Sequence, residues 1–277
     1  MSRVGGCFAL IMVFAASCAG LASPARADDP ASAQWTALLA KHVSWNEEGT
    51  ASGVDYAGIA EDRQRLGEYL ESLSAVSMAT YQGWNKAQRW AFLINAYNAF
   101  TIELILTKYP DLESIKDLGS WFSSPWKQEF VDLLGTKRSL DEIEHELLRG
   151  SAEYDDPRIH FAVNCASVGC PALRPEAYTA EQLEAQLEDQ TRRFLADRSR
   201  NRVDVQSQTV QVSKIFDWYG DDFELAFRGA DSLAGFLALY ADGLGLDDEQ
   251  AAALAKGDYR IRHLDYDWLL NDAGTVR

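Results

Sequence analysis

Apolar positions recur with helical period along most of the chain, most clearly over residues 86–109, a run that is apolar nearly all the way round and stops at Pro110. Such a segment predicts a buried central helix. Within it, Asn95 and Asn98 stand at i and i+3 on a face shared with Ala91 and Ile102. An unpaired buried amide costs about 1–3 kcal/mol, so these two either hold a neighbouring loop by its backbone or line a site. Shorter amphipathic helices are predicted over 31–42, 62–73, 179–197, 213–219, 232–242 and 247–256.

A further helix is predicted to open on the capping box Ser139-Leu140-Asp141-Glu142 and run to Arg149. Its inward stripe is Leu140, Ile143, Leu147 and Leu148, and Glu144 falls inside that stripe. A core-facing carboxylate needs a partner, and Arg158 is the expected one. His145 is its neighbour but is expected to point elsewhere, since i and i+1 do not share a helix face.

Period-two alternation is confined to short runs: 128–133 and 137–140 around Gly135, 203–205 and 210–212, and 259–264. The run 159–164, between Pro157 and the small residues Ser167 and Gly169, reads as a buried strand entering a loop that carries Cys165 and Cys170. Residues 47–53 form a polar loop and 121–126 an aromatic one. Helices and strands do not alternate regularly. The expected class is therefore α+β: a helix-rich single domain with a small, mainly antiparallel sheet around the central buried helix.

The N-terminus changes the domain picture. Arg3, an apolar run and Ala25-Arg26-Ala27 have the layout of an export signal, too short to span a bilayer in the mature chain. The expected organisation is a signal peptide at 1–27, an N-terminal helical segment at 28–53, one domain at 54–271 and a tail at 272–277. The protein is thus expected to be exported, to the periplasm. Lipid anchoring through Cys18 is the alternative, disfavoured by the small alanine at position 15.

The formal net charge is −16, and loss of Arg3 and Arg26 with the signal makes it more negative still. Such a surface repels nucleic acid and anionic headgroups. Cleavage also removes Cys7 and Cys18, leaving Cys165 and Cys170 as the thiols of a chain sent to an oxidising compartment.

Three chemistries suit those cysteines. Cys165 as a nucleophile makes a thiol-dependent hydrolase or acyltransferase, with His145 or, less readily, His263 as base. His160 is the tempting partner, but five residues along a strand would place it on the opposite face. Glu144, or the Asn95 and Asn98 amides, would then orient the imidazole or polarise a carbonyl. The alternative is a Cys165–Cys170 disulfide that shapes the loop of a non-catalytic binding or scaffold module. Zinc on Cys165, Cys170, His145 and His160 is the weakest, because no second spaced ligand motif accompanies the cysteines. Asp217, Asp221 and Asp222 lack calcium-loop spacing, so no metal and no cofactor are expected. The expected partner is a small molecule or peptide; oligomeric state is not set by the sequence.

The run IHFAVNCASVGCPALRPEAY, with LINAYNAF and LDEIEHELL before it and KIFDWYGDDF and YDWLLN after it, resembles the domain of unknown function 547 family over roughly 54–271. The matching positions are Asn95, Tyr97, Asn98, Glu144, His145, His160, Cys165, Cys170, Pro171, Trp218, Tyr219, Asp267 and Trp268. The resemblance implies bacterial export or a plant multidomain setting, and no particular reaction. A fainter likeness is to papain-like and transglutaminase-like thiol enzymes, from which this chain departs by having asparagines and no cysteine on the central helix.

Overall fold

In the computed structural model, the described residues are 30–120, 123–151 and 154–275. The expected signal peptide, together with Trp121 and Phe122 of the aromatic loop, lies outside them. The amphipathic runs become helices α1 (Pro30–His42), α2 (Tyr56–Glu61), α3 (Arg63–Ser74), α4 (Met78–Gln82) and α5 (Lys86–Leu106). Strands β1 (Val43–Trp45) and β2 (Ser52–Val54) pair antiparallel between α1 and α2. Asn85 caps α5 with a reciprocal box to Gln88. Fifteen of the 21 residues of α5 are buried, and it packs on α2 and α3.

After α5 come the antiparallel pair β3 (Val131–Leu133) and β4 (Thr136–Arg138), then the single turn α6 (Leu140–Glu142). The helix then widens into a π-helical segment, Ile143–Leu148, in which Arg149 N donates to Glu144 O across 2.9 Å. Both parts pack on α5. The second half contains α7 (Leu183–Ala196), β5 (Arg202–Asp204), β6 (Thr209–Val212), α8 (Ile215–Trp218), α9 (Leu233–Leu239), α10 (Ala241–Leu244), α11 (Asp248–Ala255) and β7 (Arg260–His263). Strand β6 pairs antiparallel with β5 and parallel with β7. The class is α+β and helix-rich, with its strands divided among three small sheets.

Two hydrophobic clusters result. One surrounds α5 and includes Trp35 of α1, whose ring stacks on Tyr69 of α3 at 4.9 Å. The other is rich in phenylalanine, with Phe161, Phe194, Phe216, Phe223 and Phe236 linked in a continuous set of ring contacts. The N-terminal helical segment is thus part of the α5 core. Residues beyond 271 are tied in as well: Asp272 bridges Val54 and accepts from the Tyr109 hydroxyl at 2.9 Å.

One element departs from the sequence reading. Residues 159–164 are not a strand: Pro157–Phe161 is a 3-10 helix, fully buried, with Pro157 in its first turn and the Asp156 carboxylate accepting from Arg158 N. Proline presets the helical φ and the aspartate satisfies a free N–H. A short apolar run carries no period to reveal this. The consequence for the site is large, because the strand geometry that put His160 and Cys165 on opposite faces does not exist.

Candidate functional site

The loop after Phe161 is held by side-chain amides. Asn98 donates to Ala162 O (3.0 Å) and accepts from Asn164 N (2.8 Å). Asn164 in turn donates to Pro171 O (2.7 Å) and accepts from Ala166 N (2.9 Å). Asn95 makes the same two-pronged grip on Tyr178, through Tyr178 O (2.8 Å) and Tyr178 N (2.9 Å). Both helix amides therefore spend their hydrogen bonds on backbone. Arg200, 8% exposed and paired with Asp197, donates to the Cys170 carbonyl.

Within this loop Cys165 and Cys170 are joined as a disulfide. The C-terminal segment lies against it: Val168 N donates to Leu269 O and Gly169 N to Asp267 O. A Cβ at Gly169 would come within 2.9 Å of both Asp267 O and the Tyr266 ring, so only glycine permits this approach. The Tyr266 hydroxyl consequently rests 3.2 Å from each sulfur.

The polar side of the site is centred on Asp222. Arg149 grips its carboxylate bidentately (Nε to Oδ2 2.6 Å, Nη2 to Oδ1 2.9 Å), and the Tyr154 hydroxyl donates at 2.9 Å. His160 Nε2 lies 2.6 Å from Oδ2. Burial pushes the Asp222 carboxyl up, but the His160 and Arg149 hydrogen bonds outweigh it and hold the group well below the carboxylate range. Burial likewise holds the His160 imidazole below its ordinary value, despite the adjacent acid. An ionised carboxylate only accepts, so the neutral ring carries its proton on Nε2 and its lone pair on Nδ1.

Tyr219 links this network to Glu144. Its ring stacks on His160 at 4.0 Å, and its hydroxyl donates to Glu144 Oε1 at 2.7 Å. Tyr97 is a second hydrogen-bond partner of Glu144, and burial followed by the Glu144 charge raises both phenols. Glu144 is therefore not paired with Arg158, which is sequestered by Asp156, Glu184 and Glu188. His145 accepts from Arg149 at 2.7 Å and lies 3.7 Å from Asp141.

These groups enclose a cavity of about 270 Å³. One wall is the disulfide with Pro171; another is aromatic, from Trp126, Trp218, Tyr219, Tyr266 and Trp268; the polar side carries Asp141, Glu144, His145 and His160. Five of the sequence candidates, Glu144, His145, His160, Cys165 and Cys170, thus meet at one cavity. Adjacent Glu144 and His145 both reach it because a π-helix has more residues per turn, which narrows the angle between successive side chains. Asn98 does not line it, and Asn95 lines a separate cavity of about 130 Å³. His263 pairs with Asp217 at 3.7 Å, away from the sulfurs. With both sulfurs bonded to each other, neither is free to act as nucleophile or zinc ligand. Pattern marks Asp222 only as one of three clustered acids without calcium-loop spacing and Trp126 only as part of an aromatic loop, and it gives Arg149, Tyr154 and Tyr266 no role; Arg149 lies four residues after His145, the one local signal for it.

Residues 81–195 match the family model described as "Protein of unknown function, DUF547". Over this stretch the chain is similar to the DUF547 family. The match carries α5, the π-helical segment and the disulfide loop. It stops before Asp222, Trp218 and the Tyr266–Trp268 wall, so the segment completing the cavity lies beyond the matched DUF547 residues. No curated protein and no solved structure gives a significant match to the chain.

Proposed function

We propose that this protein is a binding module that takes a small organic molecule, or the end of a peptide, into the cavity beside the Cys165–Cys170 disulfide. The observation that carries this reading is the bonded pair of sulfurs forming one wall of a cavity otherwise lined by aromatic rings and hydrogen-bonding groups. Such concave, mainly apolar sites with a few convergent polar groups are how proteins hold small ligands. Export is part of the proposal, since a structural disulfide persists outside the reducing cytoplasm. The native protein is expected to resist iodoacetamide and to leave p-nitrophenyl acetate unhydrolysed, and its mature form to begin at Asp28. Esterase activity from the untreated protein, lost in C165S, would replace this reading with the thiol-enzyme one.

A second reading has its own support: the Cys165 sulfur adjoins the same cavity as His160, whose Nδ1 is not taken by Asp222. Reduction by an external dithiol would leave a Cys165 thiol there. Attack of its thiolate on an ester carbonyl would expel the alcohol and leave a thioester that water hydrolyses. This reading expects ester hydrolysis after reduction, abolished by C165S and kept by C170S.

A further inference from the structure

Glu144 is 6% exposed and lines the cavity, yet among the described residues it makes no ion pair with a lysine or arginine. Its partners are two neutral phenols, Tyr97 and Tyr219. Arg149, the cation in this neighbourhood, is committed to Asp222 and His145. Arg149 acts on Glu144 only from beyond ion-pair distance, and a buried carboxylate with no cation in direct contact is unusual, because desolvation penalises a buried charge. The carboxylate also has lone pairs beyond those two phenols that a further N–H donor can use.

The aromatic wall favours the same sign of charge. Ring faces attract cations, tryptophan most strongly. The chain's own cations already exploit this: Lys116 Nζ sits 3.6 Å from the Trp268 ring centroid, and the Arg149 guanidinium 5.0 Å from that of Tyr219. Neither lines the cavity, whose acidic lining consists of Asp141 and Glu144 beside the two histidines.

We infer that the cavity takes an organic cation, a primary ammonium on an aliphatic stem, with the ammonium on Glu144 and the stem against Trp126, Trp218 and Trp268. This rests on the binding reading above. A primary ammonium is chosen over a quaternary one because only N–H groups can use the free lone pairs of Glu144.

The test titrates the full mature chain at low ionic strength with n-pentylammonium, its neutral isostere 1-pentanol and the anion pentanoate, following tryptophan emission. n-Pentylammonium is expected to bind at least about tenfold more tightly than 1-pentanol, and pentanoate not to bind. E144Q is expected to erase the preference, so that n-pentylammonium and 1-pentanol bind equally. Trp218 is 45% exposed, so W218A folds and should weaken n-pentylammonium and 1-pentanol alike through their common stem. Equal binding of n-pentylammonium and 1-pentanol would overturn the cation inference and leave the binding reading standing. No response to any of the three at tens of millimolar would overturn both.

Discussion

His160 shows how one residue sets the behaviour of the site. It is buried against Tyr219 with Nε2 on Asp222, and burial keeps it neutral. Its folded pKa lies below the ordinary 6.5, so the unfolded chain protonates first as pH falls. The stabilisation is therefore complete above about pH 6.5 and is lost as pH drops below it. Asp222 adds a second acid limb of the same sign. Its folded pKa is depressed from 3.8, so its contribution is present above that value and lost on further acidification. Urea denaturation across pH should show a two-stage decline, and H160Q should remove the upper stage. A profile unchanged in H160Q between pH 7 and pH 5 would contradict the neutral, buried imidazole.

At the scale of elements, the question is what holds the Cys165 loop in place. Asn98 is 3% exposed and grips Ala162 and Asn164 from α5, so N98A should cost about 1–3 kcal/mol. Urea midpoints would measure this, and a loss below a few tenths would mean that water or neighbours replace the amide. G169A drives a methyl into Tyr266 and the Asp267 carbonyl. It should destabilise by about 1–3 kcal/mol and shift the near-ultraviolet circular dichroism of the Tyr266–Trp268 cluster; unchanged spectra would show that the C-terminal segment does not lie against the loop. Much at this scale was legible from pattern alone: the α5 run, the Ser139 box and the hairpin around Gly135 all announce themselves through period, cap or turn residue. The 159–164 segment did not, because five consecutive buried residues give neither a two-fold nor a 3.6-fold signal. The π-helical widening was equally silent, and it decides that Glu144 and His145 share a cavity. Partners such as Asp222 for His160, 62 positions apart, are fixed by tertiary packing that a linear reading does not reach.

For the whole molecule, two hydrophobic clusters meet at the 157–171 segment, and the cavity takes Tyr97 and Val163 from one side and Ile215 and Tyr266 from the other. The disulfide closes a loop with a sequence separation of 5, so its removal should cost only about 2 kcal/mol through loop-closure entropy. The C165S/C170S double variant is accordingly expected to fold, with a lowered thermal midpoint and a reshaped cavity wall. Failure to fold would mean that the sulfur bridge organises the surrounding segments far beyond its entropic share. The central claim, that this wall is a closed bridge and not a waiting thiol, is tested most directly by mass spectrometry of the native protein treated with iodoacetamide before and after reduction. The account predicts no label at positions 165 and 170 until a reductant is added, and two labels afterwards. Carbamidomethylation of Cys165 in the untreated, folded protein would contradict it.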